Sequence, residues 1–185
     1  MRLWRAFPWD PGAGEGDGGH PLYVPRAAQG GGRHDNPLLY GALYLSEEAV
    51  AAVGELLAHL RGQWLEDPDL ERSGRRLALV PLEAEVDGRL FDLDDPAVLL
   101  ARSLAPSRVA TGRREVTQRW AQELFRARPQ RAGIRWWSTL ESSWLHVTLF
   151  DRAVKRVSVP SPPEPLRTNH PVVRAAADAL GIAVA

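Results

Sequence analysis

Between Pro8 and Asn36 the chain offers no run that a helix or strand could use. Gly12, Gly14, Gly16, Gly18 and Gly19 come first, Pro21 and Pro25 follow, and Gly30-Gly31-Gly32 closes the stretch. Glycine weakens regular elements through its conformational entropy, and proline withholds a backbone donor. A connection of this length inside a compact domain is uncommon, and is either functional or a loose surface excursion. The first glycine cluster leaves both readings open. The second delivers Arg33-His34-Asp35-Asn36-Pro37 directly into an apparent strand, Ala42 to Leu45, so there the loop has something to present.

The rest of the chain must fold around that segment. Its 185 residues suit one domain, large enough to bury about 70% of the unfolded surface around a core and a cleft. A hydrophobic fraction of 44% with 25% charged residues is that of a globular protein, not a disordered one. Twenty-three basic residues balance 23 acidic ones. This neutrality argues against a protein held mainly by nucleic-acid phosphates or an anionic membrane surface. All the basic residues but Lys155 are arginine, which reads first as a compositional bias. There is no cysteine, so disulfides, thiolate nucleophiles and zinc–thiolate sites are excluded. The opening residues lack the apolar run of a signal peptide, and no stretch nears the ~18 apolar residues of a membrane helix. A cytoplasmic location is the expectation.

Patterning predicts a mixed set of elements. Leu3 to Phe7 reads as a short strand. Ser46 offers an N-cap, with Glu47 and Glu48 in the first turn, for a helix running to about Arg61. Ala49, Val50, Val53, Leu56, Leu57 and Leu60 form its apolar stripe. Ala51, Ala52, Gly54 and Ala58 surround Glu55 on the other face. That carboxylate is either solvated on an alanine-rich helix or turned towards a cleft that small residues let a ligand approach. Leu77 to Val86 reads as a strand, broken or at an edge because of Pro81. An Asp87-Gly88 turn then suggests a hairpin with Arg89 to Leu93. Asp95-Pro96 opens a short helix through about Leu104. A longer helix spans about Arg113 to Arg128, with Val116, Trp120, Leu124 and Ala127 on one face. Gly133 to Ser138, Leu145 to Phe150 and Val154 to Val159 read as strands. A stiff Pro160–Pro165 spacer leads to a helix from Pro171 to just before Gly181. Without regular βαβα alternation the fold class is α+β: a single domain of mixed and antiparallel sheet with flanking helices. Residues 1–159 form its body, and 160–185 a spacer and helix packed on it.

Several familiar sites are excluded. Gly12-Ala13-Gly14-Glu15-Gly16 lacks the preceding strand and following helix of a dinucleotide fingerprint, and no P-loop or GxSxG elbow exists. The five histidines are scattered without metal-ligand spacing, so no metal is expected. Trp136-Trp137-Ser138 is more suggestive. Adjacent residues of a strand point to opposite faces, so one indole can fill the core while the other walls a pocket, although packing alone also explains both. Arg33, after three glycines, is either a solvated turn residue or a planar fork for phosphate or carboxylate.

Taken in order, these features resemble the RES domain family, the toxin half of bacterial RES–Xre toxin–antitoxin modules. Trp4-Arg5 stands where that family has an aromatic-Arg strand, Gly31-Gly32-Arg33 with Asn36 where it has a Gly-Gly-Arg turn, and Leu43-Tyr44-Leu45-Ser46 where it has a Tyr-x-Ser strand end. Glu55 matches its helical Glu. Phe91-Asp92-Leu93-Asp94, Trp136-Trp137-Ser138 and Thr148-Leu149-Phe150 match the later strands. The chain departs from the pattern at His34-Asp35, where the family often has an aromatic residue, and at Thr139-Leu140-Glu141, where it commonly has Arg or Asn.

The resemblance implies a fold like that of mono-ADP-ribosyltransferases. It also implies cleavage of the nicotinamide–ribose bond of NAD by phosphorolysis or hydrolysis, with transfer of ADP-ribose to a protein or a non-catalytic binding module as alternatives. It assigns Glu55, Arg33, Tyr44 and Ser138 to catalysis, and Arg5, Asn36 and Trp137 to substrate binding. No cofactor is implied: NAD is the substrate, and inorganic phosphate a co-substrate in the phosphorolytic case. The implied partner is an Xre-family helix-turn-helix antitoxin, which would do any DNA binding, in a complex compatible with a homodimer of this chain.

Overall fold

The computed structural model describes residues 1–185. In chain order the strands are β1 (Arg2–Pro8), β2 (Ala42–Ser46), β3 (Trp64–Leu65), β4 (Glu71–Arg72), β5 (Arg75–Ala84), β6 (Leu90–Asp92), β7 (Gly133–Trp137), β8 (Leu145–Phe150), β9 (Val157–Ser158), β10 (Glu164–Pro165) and β11 (Ala183–Val184). The helices are α1 (Ala49–Leu57), α2 (Pro96–Ala101), α3 (Pro106–Val109), α4 (Arg114–Ala127) and α5 (Pro171–Leu180). Helices and mixed strands without βαβα alternation make this the expected α+β class. No helix is long and apolar enough to cross a membrane.

The chain forms two compact units, each assembled from separated stretches. The first takes Met1, Val24–Tyr44 and Ala84–Val157; the second takes Arg2–Tyr23, Leu45–Glu83 and Ser158–Ala185.

In the second unit β1 runs antiparallel to β5, with Trp4 opposite Pro81 and Arg5 opposite Val80. Pro81 therefore sits inside a continuous ten-residue strand, contrary to the expected break. Helix α1 packs on β1 and α5. Its N-cap is Glu48, because Ser46 is still the last residue of β2 and pairs with Trp4. Ala51, Ala52, Val53, Gly54 and Leu57 are buried, so the small-residue face is itself a packing face, and Glu55 is exposed beside it. Helix α5 spans the predicted residues and stops at Gly181, whose φ of 67° lies in the left-handed region that favours glycine. Its buried positions are Val173, Ala176, Ala177 and Leu180, one residue round from the expected Val172 stripe.

In the first unit β7 and β8 are antiparallel, with Trp136 opposite His146, and β2 neighbours β8 on its other side. The Asp87-Gly88 turn forms, but no hairpin follows it. β6 lies parallel to β7, placing Phe91 beside Ile134, because pairing there adds two large apolar side chains to the core. Asp95 caps α2 as predicted, accepting from the Ala97 amide at 2.8 Å, though α2 ends at Ala101. The segment expected to be a strand from Val154 begins as a 3₁₀ turn, Asp151–Arg156, and only Val157–Ser158 is extended. Along α4 the buried residues are Thr117, Trp120, Ala121 and Leu124. They close a core shared with Tyr40, Phe91, Ile134, Trp136 and Phe150, against which Tyr44 and Trp137 also pack. Burying that many large side chains stabilises by roughly 1.5–3 kcal/mol each and fixes the platform on which the second glycine cluster rests.

Candidate functional site

The site is built on the loop Gly30–Asn36, whose backbone is pinned from two sides. From β2, the Tyr44 hydroxyl donates to Oδ1 of Asp35 at 2.7 Å and accepts from the His34 amide at 2.9 Å. The other carboxylate oxygen of Asp35 accepts from the amides of Gly30 and Gly32, at 2.8 and 2.7 Å. Three donors on one carboxylate close the loop as a small nest. Gly32 has to be glycine here, because a Cβ would lie 2.5 Å from Oδ1 of Asp35 and 2.6 Å from the Tyr44 hydroxyl oxygen.

From α4, the Gln118 amide group donates to the carbonyls of Gly30 and Gly32, and the Thr117 hydroxyl donates to that of Arg33 at 2.6 Å. The Asn36 side chain donates to the Gln118 carbonyl at 3.0 Å and to the Tyr40 hydroxyl at 2.9 Å, which in turn donates to the His34 carbonyl at 2.7 Å. Asn36 thus anchors the loop to α4 and to Tyr40 of the core.

This frame presents Arg33 inward, only 6% exposed. Its NH1 donates to the carbonyls of Val109 at 3.1 Å and Thr111 at 2.7 Å, and its NH2 donates to the Thr139 hydroxyl at 3.2 Å. The guanidinium carbon lies 4.8 Å from the centre of the Trp136 ring. A cation over an indole face, held by planar donors, is preorganised as no lysine could be. Ser138, next to Thr139, is 2% exposed, and its hydroxyl accepts from the Leu140 amide at 3.0 Å. Trp136 is the indole that fills the core, its N–H donating to the Thr148 hydroxyl at 3.1 Å, while Trp137 on the opposite face stays half-buried.

Two titratable groups beside Arg33, His34 and Tyr44, are each held in one state. His34 is fully buried, with Nδ1 2.8 Å from the Thr148 hydroxyl and its ring edge-on to Trp120 and Trp136. Burial first, then the electrostatic influence of Arg33, Arg114 and His146, hold its pKa well below 6.5, so it is a neutral imidazole. Burial, and the Asp35 carboxylate beside it, push the Tyr44 phenol well above 10, so it remains a donor. Both Asp35 oxygens are occupied. The loop therefore supplies fixed charge and shape rather than proton transfer.

Of the predicted site residues, Arg33, Asn36, Tyr44, Trp137 and Ser138 belong to this unit, and Arg5 and Glu55 to the other. Arg5 lies on the same face of β1 as the buried Leu3 and Phe7, and donates to the carbonyls of Pro21 and Tyr23. Burial lowers its pKa to about 10, which leaves it protonated at neutral pH. It clamps the first half of the glycine- and proline-rich segment onto β1. Glu55 is an exposed carboxylate on α1.

Sequence reasoning missed Asp35, Thr117, Gln118, Thr139 and Thr148. Only Asp35 had a local signal, since an Asp a few residues beyond a glycine amide can accept from it in a tight turn. No group of three or more His, Asp or Glu residues comes together as a metal site.

A chain in the crystal structure of the M. tuberculosis MbcT–MbcA toxin–antitoxin complex is similar to this one, with a TM-score of 0.55 and 16% identity, covering 90% of this chain and 81% of that chain. At that identity the likeness is one of fold. No curated protein matched the chain. The family model described as RES domain matches residues 2–169, nearly the whole length and every element that shapes the Arg33 loop. The chain belongs to the RES domain family.

Proposed function

We propose that this protein is the toxin of a bacterial toxin–antitoxin pair and that it consumes NAD by cleaving the nicotinamide–ribose bond. The observation that carries this reading is the RES match over residues 2–169, and the likeness to a chain of a toxin–antitoxin complex agrees with it. The chemistry of the Arg33 loop supports it independently. Nicotinamide leaves as a neutral molecule from a cationic ring, so the reaction needs no general acid, and the loop's His34 and Tyr44 are both held out of proton transfer. What the reaction needs is electrostatic stabilisation of an oxocarbenium-like ribose and a grip on the pyrophosphate.

In this reading the Glu55 carboxylate stabilises the developing positive charge on the ribose and orients the acceptor. Arg33, with Arg5 in a lesser part, answers the pyrophosphate charge. Tyr44, whose hydroxyl is committed to the loop, offers its ring. Ser138 bonds the nicotinamide ribose or amide, Trp137 walls the site, and Asn36 keeps the loop in register. The C1″–N bond breaks with its electron pair leaving on nicotinamide. A phosphate oxygen then bonds C1″ to give ADP-ribose-1″-phosphate, or water does so with loss of a proton to give ADP-ribose. The partner in this reading is an Xre-family helix-turn-helix antitoxin, and the setting is the cytoplasm.

Incubating the purified protein with NAD, with and without inorganic phosphate, and separating the products tests the reading. Nicotinamide with either ADP-ribose product is expected. Labelled ADP-ribose on a protein would move the assignment to a transferase, and intact NAD with a folded sample would sink the enzyme class.

One observation favours a second reading, a binding module of the same fold. NH1 of Arg33 donates to two of the chain's own carbonyls, as a structural arginine does. Growth inhibition on expression that survives Glu55→Ala would favour it.

A further inference from the structure

The chain is neutral overall, yet one hollow in the first unit is lined by five cations and no acid. It has a volume of about 300 Å³ and is bordered by Arg89, Arg131, Arg152, Lys155 and Arg156, with Pro129, Gln130, Ala132 and Ala153 as its uncharged lining. None of the residues of the Arg33 loop takes part. An adjoining hollow shares Arg89 and Arg131 and adds one acid, Asp87, which faces the N-terminal ammonium at 3.4 Å.

Two of the five cations are structural. Arg131 donates to the carbonyls of Gly88 and Leu90, at 2.7 and 2.9 Å. Arg152 donates to the Arg131 carbonyl and lies over the Phe125 ring at 4.1 Å, and burial lowers its pKa. Arg89, Lys155 and Arg156 are exposed, and no ion pair neutralises them. Three unneutralised heads over a partly apolar lining of Pro129, Ala132 and Ala153 make a surface to which carboxylates are steered and on which apolar side chains can settle.

The elements meeting here do not favour phosphate. Helix α4 arrives with its C-terminal end, and Lys155 and Arg156 are the last residues of the 3₁₀ turn Asp151–Arg156. Both are C-terminal ends, whereas phosphate cradles are usually made by backbone amides at helix N-termini. We propose that this hollow is the docking site for an acidic, partly apolar segment of a protein partner. The proposal does not depend on the NAD reading.

Lys155 is the only lysine of the chain, which makes the test specific. The full chain is titrated, by fluorescence anisotropy, with labelled short peptides of alternating Glu-Leu or Glu-Gly and with a short oligo-dT. Binding of the Glu-Leu peptide that weakens with salt, and that falls roughly tenfold in the triple variant R89E/K155E/R156E but not in R72E/R174E, is the expected result. Carbodiimide coupling should then join a peptide carboxylate to the Lys155 amine. Since Lys155→Glu alone removes the coupling site, it should abolish that adduct even if the triple variant fails to fold. Equal affinity for Glu-Gly, coupling confined to the Met1 amine, or no loss in the triple variant would overturn the proposal. Tighter binding of oligo-dT, removed by the same reversals, would reassign the hollow to phosphates and overturn it as stated. NAD consumption should be unchanged in the triple variant, so failure of one proposal is separable from failure of the other.

Discussion

The Tyr44 hydroxyl donates to Asp35 at 2.7 Å across nine residues of sequence, and through that bond a strand of the sheet sets the shape of the glycine loop. Asp35 holds the amides of Gly30 and Gly32 at the same time, so the loop that carries Arg33 is closed by one carboxylate and one phenol.

Removing the phenol should therefore loosen the loop without emptying the core. Tyr44→Phe keeps the ring and leaves Asp35 Oδ1 and the His34 amide without their partner. We expect a loss of about 1–3 kcal/mol in urea unfolding. NAD consumption should fall with it, since Arg33 is positioned by the same bond. An unchanged midpoint and activity would mean that the Tyr44–Asp35 pair is incidental.

The three glycines of the cluster should respond unequally. A Cβ on Gly32 collides with Asp35 and Tyr44, whereas one on Gly30 or Gly31 meets nothing within 4 Å. Gly32→Ala should lower the melting temperature by several degrees, corresponding to roughly 1–3 kcal/mol. Gly31→Ala should be neutral or slightly stabilising, because the unfolded chain loses freedom. Similar losses at both positions would count against the nest.

Stability should fall on the acid side because of His34. Its folded pKa is held well below 6.5 by burial and neighbouring cations, while in the unfolded chain it titrates near 6.5. Below that pH the unfolded state binds the extra proton, so stability rises with pH up to about 6.5 and levels off above it. The slope from this residue reaches about 1.4 kcal/mol per pH unit. Urea midpoints from pH 5 to pH 8 should show this, and His34→Phe should flatten the curve. A parallel curve in the variant would assign the acid sensitivity elsewhere.

Glu55 and Arg33 should part company in how they fail. Glu55 is exposed, so Glu55→Gln should leave the melting temperature in place while NAD consumption drops by about a hundredfold or more, the order expected when a group that stabilises transition-state charge is removed. Arg33→Lys loses the planar fork that reaches Val109, Thr111 and Thr139, so both activity and stability should decline. Full activity in Glu55→Gln would remove that carboxylate from the mechanism.

What the sequence determined alone is local. The capping Asp95, the Pro171 start and Gly181 stop of α5, the span of α4 and the limits of β8 follow from caps, turn residues and 3.6- or 2-residue periods, which act within a few neighbours. The motifs that carry the RES resemblance are short as well, and stand in the sequence itself. The tertiary structure decided everything that depends on a distant partner. It paired β6 parallel with β7 instead of folding it back as a hairpin, and it kept Ser46 in a strand where a cap was expected. It also gave the Arg5 guanidinium the carbonyls of Pro21 and Tyr23 as partners, 16 and 18 residues away. Arg33 shows the division most clearly. Three glycines before it announce a loop, but its carbonyl partners lie 76 and 78 residues away and its hydroxyl partner 106 away. Pairings at such separations are chosen by how the core packs, and no window of sequence holds both ends of them.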